Sequence, residues 1–125
     1  YPEGMGETTP EISSLLKDVM PISKTSFSCC GSEAFMAALK QIGRYQVLLA
    51  GIEAHVCVQQ TALDLLDDGY EVQVLADAAS SRDPENRTLA FQRMRDAGVT
   101  RAIWVADTYN NRLQKFSADT HRKAL

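Results

Sequence analysis

Apolar residues in this chain fall into two textures. One is the short unbroken run; the other recurs every three or four positions. Gln46-Val47-Leu48-Leu49-Ala50 is a run of the first kind, the pattern of a buried strand. Phe35, Ala38, Leu39 and Ile42 fall on one side of a stretch that opens at Ser32 and stops at Gly43. Ser is a strong N-cap and Gly a strong terminator, so the spacing predicts a helix from there to about Ile42. Val58, Ala62, Leu65 and Leu66 predict a second helix over Cys57–Asp67, with Gly69 past its end. Glu71–Ala76 reads as the next strand. Asp83 caps the following helix, Pro84 takes its first position, Leu89, Ala90, Met94 and Ala97 face inward, and Gly98 closes it. Thr100–Val105 is a further strand.

The start of the chain is less regular. Tyr1–Pro10 is a Gly/Pro/Thr-rich loop, Glu11–Lys17 has a short helical pattern, and Val19–Ile22 reads as a short extended segment. The resulting β-α-β-α-β-α-β order, with short connections, predicts an α/β protein. Its parallel sheet would carry helices on its faces, joined by right-handed crossovers. No internal repeat or low-complexity segment interrupts it.

Composition narrows the class. A chain of 125 residues, 45% hydrophobic and 23% charged, is one globular domain or part of one. A net charge of −3 gives no reason to expect nucleic acid. No apolar run approaches a membrane span and no signal peptide is visible, so no membrane partner is expected. Three cysteines, two of them adjacent (Cys29, Cys30), are not a disulfide framework. The adjacent pair also falls short of a tetrahedral metal site. The expectation is a cytoplasmic protein with no metal and no cofactor.

The most chemical stretch is Gly51-Ile52-Glu53-Ala54-His55-Val56-Cys57-Val58-Gln59-Gln60-Thr61-Ala62. It follows a strand directly and runs into a helix, which puts Cys57 in the first helical turn. Helix N-termini carry unpaired N–H groups and partial positive charge, which favour a thiolate. Ligands of open α/β sheets bind at the carboxyl ends of strands. By itself a lone cysteine is more often a small buried hydrophobe.

Five blocks in order resemble the isochorismatase-like cysteine hydrolases, a superfamily that includes nicotinamidases and related amidases. They are Tyr1-Pro2-Glu3-Gly4-Met5-Gly6, Lys24-Thr25-Ser26-Phe27-Ser28, Gly51 to Ala62, Gly69-Tyr70-Glu71-Val72 on to Ala76-Asp77-Ala78, and Asp83-Pro84-Glu85 through Met94-Arg95-Asp96-Ala97-Gly98. The Lys24 and Cys57 blocks together are the specific part. The resemblance covers residues 1–100 and implies a three-layer α/β/α fold with a parallel Rossmann-like sheet, here incomplete. Residues 101–125 form a divergent C-terminal strand and tail. Trp104 to Phe116 resembles a single NHL repeat of a β-propeller, and one such repeat cannot bury its own faces.

The resemblance implies a catalytic triad of Asp, Lys and Cys. Lys24 and Cys57 match two members; the aspartate lies in a family segment upstream of Tyr1, on the order of 60 residues long. The backbone N–H groups of Glu53 and Cys57 would form the oxyanion hole, with a non-proline cis peptide between Ile52 and Glu53. Lys24 would favour the thiolate. Phe27 and Met5 are placed either as walls of an apolar pocket or in the core, and Ala54, where many relatives have Thr, at a position that bears on the turn or on substrate contact. His55 is assigned to packing or hydrogen bonding in the turn, and Asp77 to bracing the loop to Arg82.

The implied function is hydrolysis of a small amide through a Cys57 acyl-enzyme, in a homo-oligomer. The alternative is an inactive relative serving as a scaffold or oligomerisation module; a propeller fragment is remote. Loss of the central aspartate strand is expected to split the remaining strands, unless a longer chain or a second chain completes the sheet or the strands flanking Cys57 close up.

Overall fold

A computed structural model describes residues 1–107 and 112–117, with residues 102–107 and 112–117 described as backbone. Two single-turn helices, α1 (Pro2–Met5) and α2 (Pro10–Ser13), open the chain. A 3-10 turn, Cys29–Gly31, precedes α3 (Glu33–Ile42). Then come β1 (Gln46–Gly51), a π-helical turn (Ala54–Val58), α4 (Gln59–Asp67), β2 (Glu71–Ala79), α5 (Pro84–Asp96), β3 (Thr100–Asp107) and β4 (Arg112–Ser117).

The predicted punctuation is present. The Ser32 side chain accepts from the Phe35 N–H, and Gly43 ends α3 in the left-handed conformation at φ +67°. Asp83 accepts from the Glu85 N–H, with Pro84 opening α5.

The sheet is four-stranded, in the order β1-β2-β3-β4. β1, β2 and β3 are parallel; β4 returns antiparallel to β3. The strands that flank Cys57 pair directly, the closing-up that was one of the three outcomes expected. β3 carries the sheet across the division drawn at residue 100. Residues 108–111 of the NHL-like stretch lie outside the described residues.

A sheet that advances in one direction with crossovers of one hand keeps its crossover helices on one face. α4 and α5 accordingly pack against each other and against the π turn. Val72 and Val74 of β2 join Ala54, Val58, Ala62, Leu65, Ala90, Phe91 and Met94 in the core. Phe35 and Leu39 of α3 pack at its margin. On the opposite face Leu48, in register with Gln73, is exposed. The described residues therefore supply a sheet and one helical layer on it.

Five local expectations change. Pro2–Met5 forms a helical turn inside the stretch read as a loop. Val19–Ile22 forms no strand, and Val19, Met20 and Ile22 are exposed. Without a neighbouring strand an extended segment has no ladder to join. The early helix spans Pro10–Ser13 rather than 11–17. On α5, Phe91 replaces Leu89 and Ala97 as an inward residue; Leu89 is 55% exposed. β2 continues to Ala79, which is buried, so Asp77 lies within the strand.

Candidate active site

The site starts where β1 leaves the sheet. Leu49 pairs with Val74, but Gly51 pairs with Ala79, so the register slips by several residues of β2. Gly51 stands at φ +114°, a conformation that side-chain-bearing residues rarely adopt. The next peptide, Ile52–Glu53, is cis, as the resemblance implied. The chain then enters the π turn that holds Cys57.

Backbone bonds clamp this segment to the end of β2. The Ala54 N–H donates to Ser80 O at 2.7 Å, and the Ser80 N–H donates to Gly51 O at 3.2 Å. The Glu53 carbonyl accepts from Val56 and Val58 at 3.1 and 3.3 Å. The Glu53 N–H takes part in none of these bonds. Cys57 is a free thiol, half-buried, inside the π turn rather than in the first α-helical turn.

The Glu53 carboxylate is the side-chain brace of the turn. Its Oε2 accepts from the Arg82 N–H at 3.0 Å, and its Oε1 lies 3.4 Å from Arg82 Nε. Glu53, not Asp77, thus holds the loop to Arg82. His55 Nδ1 shares a hydrogen bond with Ser81 Oγ at 2.9 Å and sits 3.7 Å from Glu53 Oε2. That is the hydrogen-bonding role expected of His55.

Lys24 is half-buried, and its ammonium donates to Ser26 O at 2.8 Å and Phe27 O at 2.9 Å. Ser26 Oγ donates to Ser28 O, and the Cys30 N–H donates to Ser28 Oγ. The loop therefore wraps around its own lysine. It is fastened to the Cys57 helix by the Cys29 N–H, which donates to Thr61 Oγ1 at 2.9 Å. Thr61 is four residues after Cys57, one turn along.

Lys24 lines a polar cavity of about 310 Å³ with Glu3, Ser23, Thr25, Ser26, Gly31 and Ser32. Cys57, Phe27, Met5 and Ala54 are not among its walls. Phe27 and Met5 are 62% and 72% exposed, while Ala54 is fully buried in the core. The structure thus brings the Lys24 loop onto the helix of Cys57 without placing the thiol in the lysine's cavity. Burial pushes the Cys30 thiol up; Asp64, Asp68 and Cys29 add to the rise, and the Ser28 hydrogen bond opposes it. Among the described residues, no group of three or more His, Cys, Asp or Glu could hold a metal.

Sequence reasoning missed Thr61, Ser80, Ser81 and the Glu53 carboxylate. Ser80-Ser81-Arg82 offered a signal: a polar cluster directly after a strand, at the sheet's carboxyl edge.

The isochorismatase domain model matches residues 3–108. This chain belongs to the isochorismatase domain family. Isochorismatase domain-containing protein 2 of Danio rerio is 45% identical over 100 residues, 79% of this chain and 49% of that protein. The chain thus spans about half the length of this curated relative. YcaC from Pseudomonas aeruginosa, solved with hexane-2,5-diol and covalent acrylamide, superposes with a TM-score of 0.74 at 29% identity, over 78% of this chain and 49% of that one. The Escherichia coli YcaC gene product, described as an octameric hydrolase of unknown specificity, gives 0.72 at 30% identity, over 77% and 48%. MAR1 ribonuclease from Caenorhabditis elegans gives 0.67 at 41% identity, over 79% and 50%. The isochorismatase-like neighbours share the α/β fold with its parallel sheet.

Proposed function

We propose that this isochorismatase-domain chain carries the nucleophile of a cysteine hydrolase acting on a small amide. The Cys57 thiolate would attack the carbonyl carbon, the C–N bond would break as the amine leaves with a proton, and water would then hydrolyse the resulting thioester to the acid and free thiol. The backbone N–H groups of Glu53 and Cys57 would receive the oxyanion; fixed donors of this kind stabilise a tetrahedral intermediate. Lys24, on its docked loop, would supply positive charge near the thiol. The general base would be the aspartate that the family resemblance implies; a general base typically contributes about 10²–10⁴-fold in rate.

The observation that carries this reading is the free, half-buried Cys57 in the π turn at the carboxyl end of β1. The covalent acrylamide of the Pseudomonas YcaC supports it, because acrylamide is an electrophile that captures nucleophiles. An amide is put ahead of RNA because an acyl intermediate needs a carbonyl carbon and a phosphodiester has none. Free thiols support a reducing, cytoplasmic location. The octameric E. coli relative supports a homo-oligomer.

A second reading is a non-catalytic scaffold. It is favoured by the Lys24 ammonium, which donates to the Ser26 and Phe27 carbonyls of its own loop. Intact-mass spectrometry after incubation with small amides separates the two. A thioester adduct on Cys57, absent in Cys57→Ala, is the expected outcome; an unmodified chain with every amide, alone or mixed with a longer family member, supports the scaffold.

A further inference from the structure

The loop that carries Lys24 is bonded into a unit of its own. The Lys24 ammonium donates to Ser26 O and Phe27 O at 2.8 and 2.9 Å. Ser26 Oγ donates to Ser28 O at 2.7 Å, and the Cys30 N–H donates to Ser28 Oγ at 3.2 Å. Gly31 lies tight against the same loop, since a Cβ there would stand 2.8 Å from Ser26 Cβ and Oγ. A loop tied in this way moves as one piece and takes its lysine with it.

Its placement on the domain has a different cause. Ile22 and Phe27 are exposed, so little apolar burial holds the loop before Ser28. Cys30 packs at the margin of the core. Apolar contact has no direction, so it draws the loop close without fixing its angle. The directional link is the bond from the Cys29 N–H to Thr61 Oγ1, 2.9 Å long.

Thr61 costs the helix something. Its β-branched side chain is a poor helix former, yet it stands inside α4 and is 2% exposed. A hydroxyl taken out of water needs a partner, and the Cys29 N–H supplies one. Residues four apart lie one above the other on a helix, so this hydroxyl sits one turn from Cys57. One bond thus joins the lysine's loop to the nucleophile's helix.

We infer that Thr61 is a positioning residue for the Cys57 nucleophile: its hydroxyl sets the angle at which the Lys24 loop meets the helix, and so the distance from ammonium to thiol. The inference rests on the reading above, in which Lys24 supplies positive charge near Cys57. The role needs no contact between Thr61 and the reacting atoms.

The test is the rate of iodoacetamide alkylation at Cys57, followed by peptide mass spectrometry of the intact chain's digest. It is read at neutral pH and at about pH 10, where thiols ionise without help. In Lys24→Ala the neutral rate should fall by about tenfold, the effect of losing one nearby opposite charge, and the alkaline rate should hold. Thr61→Val should slow the neutral reaction by about threefold or more, again with the alkaline rate held, and Thr61→Ser should restore it. Lys24→Ala/Thr61→Val should be no slower than Lys24→Ala, because the hydroxyl acts through the lysine. Thr61→Ala removes the same acceptor and takes the place of Thr61→Val if that variant does not fold. A Lys24→Ala chain that reacts like the wild type would remove the reading of Lys24, and this inference with it. A slowed Lys24→Ala beside an unchanged Thr61→Val would overturn the inference alone. So would slowing of Thr61→Val at both pH values, which marks altered access, or slowing that adds to that of Lys24→Ala.

Discussion

The backbone N–H of Cys29 donates to the hydroxyl of Thr61 at 2.9 Å, across 32 positions of sequence. This bond pins the loop that carries Lys24 to the helix that follows Cys57. Thr61 is 2% exposed, so no water stands ready to replace it. Thr61→Val keeps the shape and strands the Cys29 N–H, which should cost about 1–3 kcal/mol in urea unfolding. Thr61→Ser should recover most of that. An unchanged unfolding midpoint in Thr61→Val would show that the bond contributes nothing.

Gly51 should be hard to replace for a backbone reason alone. A Cβ built there meets nothing within 4 Å, but φ is +114°. Gly51→Ala should therefore destabilise by about 1 kcal/mol or more, through strain and not through a clash. Gly31 should fail differently, since its Cβ would stand 2.8 Å from Ser26 Cβ and Oγ. Thermal unfolding of the two variants, with thiol labelling of Cys57, checks both. A neutral Gly51→Ala would remove the account of how β1 ends.

Much of the scaffold was legible because its signals are local. Ser32 with Gly43, and Asp83 with Pro84, mark helix ends through bonds made within a turn or two of themselves. The blocks around Lys24 and Cys57 gave the family. Nonlocal features were not legible. Val19–Ile22 looks extended, yet a strand exists only if a neighbour pairs with it. Leu89 and Phe91 fit a helical period equally well, and the core took Phe91, the larger apolar group. The π turn at Cys57 differs from an α-turn by one residue in each hydrogen-bonded loop, which spacing does not encode. Glu53 finds its partner 29 positions away, so nothing beside it in sequence announces Arg82.

The two halves of the Glu53–Arg82 contact should separate by mutation. The Arg82 guanidinium is 92% exposed, so Arg82→Ala should change stability by less than about 1 kcal/mol. Glu53→Ala should cost more, because it also removes the acceptor of the Arg82 N–H. Glu53→Gln should fall between them. Equal losses in Arg82→Ala and Glu53→Ala in chemical denaturation would place the energy in the ion pair instead.

Cys30 gives a pH dependence with a definite sign. Its thiol is raised in the folded chain, first by burial and then by the Asp64 and Asp68 carboxylates and Cys29. The folded state thus holds this proton more tightly than the unfolded state does. The contribution is fully present below the ordinary thiol range and is lost as pH rises through the raised value. Stability should fall on the alkaline side more steeply than in Cys30→Ala. Parallel unfolding curves of the two proteins across that range would refute the assignment.

The competition among the three thiols is the decisive measurement. The chain is treated with limiting iodoacetamide near neutral pH, and peptide mass spectrometry follows Cys29, Cys30 and Cys57 separately. Cys57 should be modified first, Cys30 last, and the Cys57 rate should drop in Lys24→Ala. Indistinguishable rates at the three positions, or Cys57 the slowest, would contradict a nucleophile at this turn.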